Sequence, residues 1–194
     1  MAKEYAPADE VRYIAHRLID LFHPHLHGVR IEYVFISEAP KSQNRELDGR
    51  ARKVSGLMAH LATPGSVGEP VTFFCIEITY PKWIARPLAW RVALVDHELS
   101  HCDFGEEMDD LATVGHDEEE FDSIAERHGA WNEGLERFIE RVTKGDPRKR
   151  RVVEQLLVEL EEELKETGLE VRTHATRTKT KRAPERIDLR RSAH

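Results

Sequence analysis

The sequence predicts an α+β domain with a small three-stranded sheet, on three observations. One amphipathic helical pattern opens the chain. Strand-like runs cluster between residues 30 and 80. From Pro87 onward only helical periodicities recur. Strands and helices grouped in separate blocks, without strict alternation, argue for α+β over α/β.

The elements follow in order. From Asp9 to Phe22, apolar residues at 11, 14, 15, 18, 19 and 22 make one helical face, ended by His23-Pro24. The segment H-P-H-L-H (His23, His25, His27) could bind a metal but reads first as a solvated helix-terminal loop. R-I-E-Y-V-F-I-S (30–37) alternates β-branched and aromatic residues and predicts a strand. A polar loop spans 39–50. K-V-S-G-L-M-A-H-L (53–61) predicts a second strand, with His60 half-buried in it. V-T-F-F-C-I-E-I-T-Y (71–80) is nearly continuous in strand formers, as in a central strand covered on both faces. Pro87 then opens a helix carrying Leu88, Val92, Val95 and Leu99, with no further Pro or Gly until Gly105 stops it. Farther on, Phe121, Ile124, His128, Trp131, Leu135, Phe138 and Val142 keep helical spacing. Gly129 and Gly134 divide them into two helices, with Asn132 capping the second. Trp131 and His128 read as core residues. Asp146-Pro147 starts a last helix, striped by Val153, Leu156, Leu157, Leu160 and Leu164, and Gly168 stops it.

The chemistry concentrates in V-D-H-E-L-S-H-C-D (95–103). His97, Glu98 and His101 form H-E-x-x-H on the apolar helix. Four residues is about one helical turn, so both imidazoles leave one face and can share an ion, while Glu98 can activate a water. A catalytic zinc site expects a third protein ligand and an open position. His116, just ahead of the helical pattern that Asp117 and Glu120 can cap as a capping box, is one candidate; Glu119 and Glu120 are the rivals. Asp109 or Asp110, in the acidic loop 105–115, could orient a ligand histidine. Cys102 follows His101 by one residue and is rotated about 100° from it, so it reads as a buried thiol.

D-H-E-L-S-H-C followed by G-H-D-E-E-E-F-D-S-I-A-E-R-H-G-A-W resembles the phage metallopeptidase family, small zincin-like domains of bacteriophages and prophages. More distantly it resembles SprT-like proteases, whose third histidine lies in H-G-x-x-W/F; Asp117 stands where that pattern has glycine. The resemblance covers residues 8–143 and is strongest over 90–131. It implies a minimal zincin-like fold, one catalytic zinc ion on His97, His101 and His116, and Glu98 as the general base of peptide hydrolysis. It also implies a protein or peptide substrate and a phage or prophage origin in a bacterial host. The domain reading is then 1–145 for the metallopeptidase domain, 146–170 for a charged amphipathic helix and 171–194 for a basic, disordered tail.

Composition bounds the alternatives. The 194 residues, 40% apolar and 34% charged, suffice for one packed domain with an appendage. No apolar run approaches membrane-spanning length and M-A-K-E-Y-A-P-A-D-E lacks a leader's apolar stretch, so the chain reads as cytoplasmic with no membrane partner. Two cysteines, Cys75 and Cys102, are too few for a disulfide framework. The net charge of −7 divides: eight Arg or Lys against Glu185 and Asp188 give residues 172–194 +6, leaving −13 for the remainder. Such a tail could touch nucleic acid non-specifically. A second reading therefore stands beside hydrolysis, a non-catalytic module with a structural zinc on the same histidines, acting through its basic tail. Structural zinc usually has four protein ligands, often cysteine, which disfavours that reading.

Overall fold

The computed structural model describes residues 3–42, 45–62, 71–105, 110–116 and 133–169. Strand β1 (Tyr5–Pro7) leads into helix α1 (Asp9–Phe22), with the bounds its periodicity predicts. A 3-10 turn, Pro24–Leu26, carries the chain to β2 (Ile31–Ile36). The expected polar loop instead holds two short paired strands, β3 (Lys41–Ser42) and β4 (Arg45–Glu46), followed directly by β5 (Gly49–Val54).

That placement corrects the second predicted strand. Residues 53–61 are mostly helix α2 (Gly56–Leu61), and His60 is exposed on it. Gly56 at φ +57° breaks the extended run, a conformation that glycine adopts at little cost. Strand β6 (Phe73–Thr79) is central, as predicted. It runs parallel to β2 and antiparallel to β5, and β1 adds antiparallel to β2. The sheet is thus mixed and four-stranded, in the order β1-β2-β6-β5, where three strands were expected. Tyr5–Pro7 is too short to show an alternation pattern.

Helix α3 (Tyr80–Ile84) turns the chain into α4 (Leu88–Ser100), which packs against α1 and against β5. Val11, Ile14, Ala15 and Leu18 of α1, Phe74, Ile76 and Ile78 of β6, and Val92, Val95 and Leu99 of α4 are almost wholly buried. Each buried aliphatic or aromatic side chain of this kind contributes about 1.5–3 kcal/mol. The start of α4 is also held electrostatically. Buried Arg91 donates to Glu10 Oε1 at 2.7 Å and to the carbonyls of Trp83 and Arg86 at 3.1 and 3.0 Å, while Trp83 Nε1 donates to Glu10 Oε2 at 2.8 Å.

The predicted motif helix is four residues too long. α4 ends at Ser100, His101 caps it in helical conformation, and Cys102–Phe104 is strand β7, paired with β8 (Leu111–Thr113). Beyond it lie α5 (Glu133–Lys144) and α6 (Pro147–Glu166). Asp146 Oδ1 accepts from the Arg148 amide at 2.9 Å, and Gly168 at φ +69° follows the last turn, as the sequence predicts.

Among the described residues, those up to Val114 together with those from Leu160 form one compact unit, and those between Gly115 and Glu159 a second. In the first, Tyr13 donates to Glu163 at 3.1 Å and Arg17 lies 3.7 Å from it. In the second, α5 turns into α6 through Gly145 at φ +58°. The predicted helix after His116, Glu119, Glu120, His128, Trp131, Asn132 and the basic tail lie outside the described residues. Among the described residues no helix is long and apolar enough to cross a membrane.

Candidate metal centre

α4 presents two different faces at adjacent positions. Its buried stripe runs Leu88, Arg91, Val92, Val95, Glu98 and Leu99. His97 is exposed and His101 half-buried, so the imidazoles look outward while Glu98 turns into the core. The cause is the helical rotation of about 100° per residue.

The imidazole pair has a defined geometry. His97 Nε2 and His101 Nε2 lie 3.3 Å apart, with the rings edge to face. Two nitrogens bound tetrahedrally at about 2.0–2.1 Å from one zinc ion would stand about 3.3–3.4 Å apart. His101 Nδ1 lies 2.7 Å from the carbonyl oxygen of Val114. A carbonyl can only accept, so Nδ1 donates to it and Nε2 is the ring nitrogen that could meet a metal ion. The Val114 amide returns a bond to His101 O at 3.0 Å, which fixes the strand leading to His116. His97 and His101 could share a metal ion; His116 lies at the start of the second unit.

Glu98 is 3% exposed. Its carboxylate sits against β5, where a Cβ added to Gly49 would come within 2.6 Å of Glu98 Oε1 and 3.0 Å of Ile78 Cδ1. Gly49 is therefore the space the carboxylate occupies. Burial pushes the Glu98 carboxyl up to about 7, against the opposing pull of the Ala51 amide hydrogen bond and the Arg50 charge.

Other residues singled out in the sequence fall elsewhere. Cys102 is a buried free thiol, as expected; its Sγ is 3.6 Å from Glu98 O, and burial pushes it up to about 12. Asp110 pairs with Lys53 at 2.7 Å, and it is the Val114 carbonyl that orients His101. The H-P-H-L-H segment is not simply solvated. His23 is 7% exposed and bonds Asp96 Oδ1 at 2.7 Å, His25 bonds the Cys102 carbonyl at 3.3 Å, and His27 bonds Asp20 at 2.9 Å. Gly49, Ala51, Val114, His23 and His25 thus surround the motif without any local sequence signal for it.

An α+β frame with a helix offering two imidazoles to one ion and a buried carboxyl beside them defines a candidate metal centre. The chain belongs to the family described as "Putative phage metallopeptidase", whose model matches residues 3–143. No curated protein and no solved structure matches the chain.

Proposed function

We propose that the chain is a zinc-dependent metallopeptidase of zincin-like type, with His97, His101 and His116 as the metal ligands and Glu98 as the general base. The observation that carries this reading is the 3.3 Å separation of the two Nε2 atoms, with a buried carboxyl on the neighbouring position of the same helix. Family membership supports peptide hydrolysis and a protein substrate. Imidazole donors suit zinc.

A zinc ion bound there supplies a Lewis acid for the scissile carbonyl and for water. The chain's own residues do the rest. Glu98, with its carboxyl near 7, is matched to take a proton from the attacking water and return it to the leaving amine around neutral pH. The Val114 carbonyl keeps the His101 ring in one tautomer and orientation. The second reading, a structural zinc in a binding module, calls for a fourth protein ligand. Cys102, the neighbouring thiol, is buried, protonated and turned toward Glu98 O, which favours the open, catalytic arrangement.

The test is metal content and cleavage of a denatured protein mixture by purified wild type, Glu98→Gln and His116→Ala. The reading expects one zinc per chain and cleavage in wild type, zinc without cleavage in Glu98→Gln, and loss of both in His116→Ala. A wild-type chain that neither retains nor takes up zinc would overturn it.

A further inference from the structure

The H-P-H-L-H segment has a role that its sequence does not announce. His23 Nε2 donates to Asp96 Oδ1 at 2.7 Å, and Asp96 immediately precedes His97. His25 Nε2 donates to the Cys102 carbonyl at 3.3 Å, and Cys102 immediately follows His101. The two bonds therefore bracket the H-E-x-x-H residues, one on each side. The segment is itself anchored: His23 is 7% and Leu26 1% exposed, and Pro24 opens the 3-10 turn between them.

We propose that residues 23–26 are a clamp that sets the two α4 histidines at ligand spacing, with His23 and His25 as positioning residues for metal binding. The proposal rests on the reading of His97 and His101 as ligands. Its physical basis is the junction at His101, where α4 stops and β7 begins. A chain that changes from helix to strand inside its own ligand motif can splay the two imidazoles apart at that point. Holding Asp96 and Cys102 against one rigid turn removes that freedom before the ion arrives, so less ordering accompanies binding. His23 has the stronger hand, with the shorter bond and the more buried ring.

The experiment measures Zn2+ affinity of the full chain by competition with a chromophoric chelator, alongside the melting temperature of each apo form in EDTA. His23→Ala should weaken Zn2+ binding about tenfold, the lower end of what loss of a residue supporting a metal ligand costs. His25→Ala should weaken it in the same direction by less. His23→Gln, whose side-chain amide can still donate to Asp96, should return the affinity to within about threefold of wild type. Asp96→Ala should add no further loss in the His23→Ala background, because both changes delete one bond. A merely structural role would lower the apo melting temperature and leave Zn2+ affinity alone. Wild-type affinity in His23→Ala, or no rescue by His23→Gln, overturns the clamp; should His23→Ala fail to fold, unchanged affinity in both His25→Ala and Asp96→Ala does so. Absence of Zn2+ binding by the wild type would bring down the ligand reading itself, a distinct result.

Discussion

Replacing Glu98 by Gln separates its chemical role from its structural one. The carboxyl has an ordinary value of 4.5 and is held at about 7 in the folded chain, chiefly by burial. Between those values the folded state binds the proton more tightly than the unfolded state does. The protonated group's favourable contribution is therefore present in full below about pH 4.5 and lost as pH rises through about 7. At 1.36 kcal/mol per pH unit, the gap corresponds to about 3 kcal/mol of stability forfeited by pH 8. Glutamine keeps the shape and an oxygen for the Ala51 amide, but has no proton to lose. In EDTA, where no ion offsets the charge, the apo wild type should lose melting temperature from pH 5 to pH 8. The Gln variant should stay nearly flat and melt several degrees higher at pH 8, since about 1 kcal/mol moves a chain of this size by about 2–4 °C. In the zinc-loaded form the same substitution should cut peptide hydrolysis about 10²–10⁴-fold with metal stoichiometry intact. A wild-type pH slope in the variant would refute the burial argument, and stoichiometric zinc loss would refute the assignment of Glu98 to proton transfer.

The remaining predictions address the surroundings. His116→Ala should lower zinc content and thermal stability together, because metal binding energy is also folding energy; an unchanged zinc ratio by elemental analysis would move the third ligand elsewhere. Gly49→Ala places a methyl 2.6 Å from Glu98 Oε1 and should cost about 1–3 kcal/mol in denaturant melts and lower activity while keeping zinc. For Glu77, burial pushes the carboxyl up, but the hydrogen bonds and charges of Arg50 (2.7 Å) and Arg52 (3.0 Å) outweigh it, leaving it below 4.5. Its contribution is present above pH 4.5 and lost as pH falls, so Glu77→Gln should flatten the acid limb of a stability–pH curve; an unaltered limb would contradict this. Truncation after Glu170 removes the basic tail and should leave zinc content unchanged and the melting temperature within a few degrees. If the full chain binds DNA or RNA at low salt and the truncated chain does not, the tail is the contact; equal behaviour of both removes it.

The parts legible in the sequence are those where one residue pattern faces one environment. α1 shows its apolar face without interruption and was bounded correctly, and β6, buried over most of its length, reads as a continuous run of strand formers. The sequence does not announce β5, because its pattern is unusual. Where Glu98 approaches, the strand carries Gly49, which leaves room for the carboxylate, and Arg50 and Arg52 close over Glu77. Neither face looks hydrophobic, so the strand signal slid downstream into Leu57, Met58 and Leu61, which are exposed on α2. The end of α4 is hidden in the sequence for a related reason. Nothing local forbids a helix through Phe104; the pairing of Cys102–Phe104 with Leu111–Thr113 stops it. His97, Glu98, His101 and His116, the residues proposed for the site, stand out in the sequence because metal chemistry constrains residue type and spacing. The residues that orient them act through backbone atoms or from 73 and 77 positions away, distances at which a sequence motif carries no information.

The position of Glu98 shows why the site and the fold cannot be optimised together. A leucine there would extend the stripe of Val95 and Leu99 and pack against β5, and Gly49 could then carry a side chain. The chain instead keeps a carboxyl in the core, with one backbone amide for a partner and about 3 kcal/mol forfeited at alkaline pH. On the proposed reading, the raised carboxyl is what makes the group a stronger base than a solvated glutamate. The histidines make the opposite compromise. His97 is exposed and His101 half-buried, and His101 takes from the Val114 carbonyl the order that full burial would otherwise supply. A hydrophobic replacement at 98 should therefore raise stability and end catalysis in one step. Glu98→Leu, more stable than wild type in EDTA at pH 8 yet inactive with zinc bound, is the result this trade requires; a less stable variant would mean that the carboxyl contributes more through Ala51 than its burial costs.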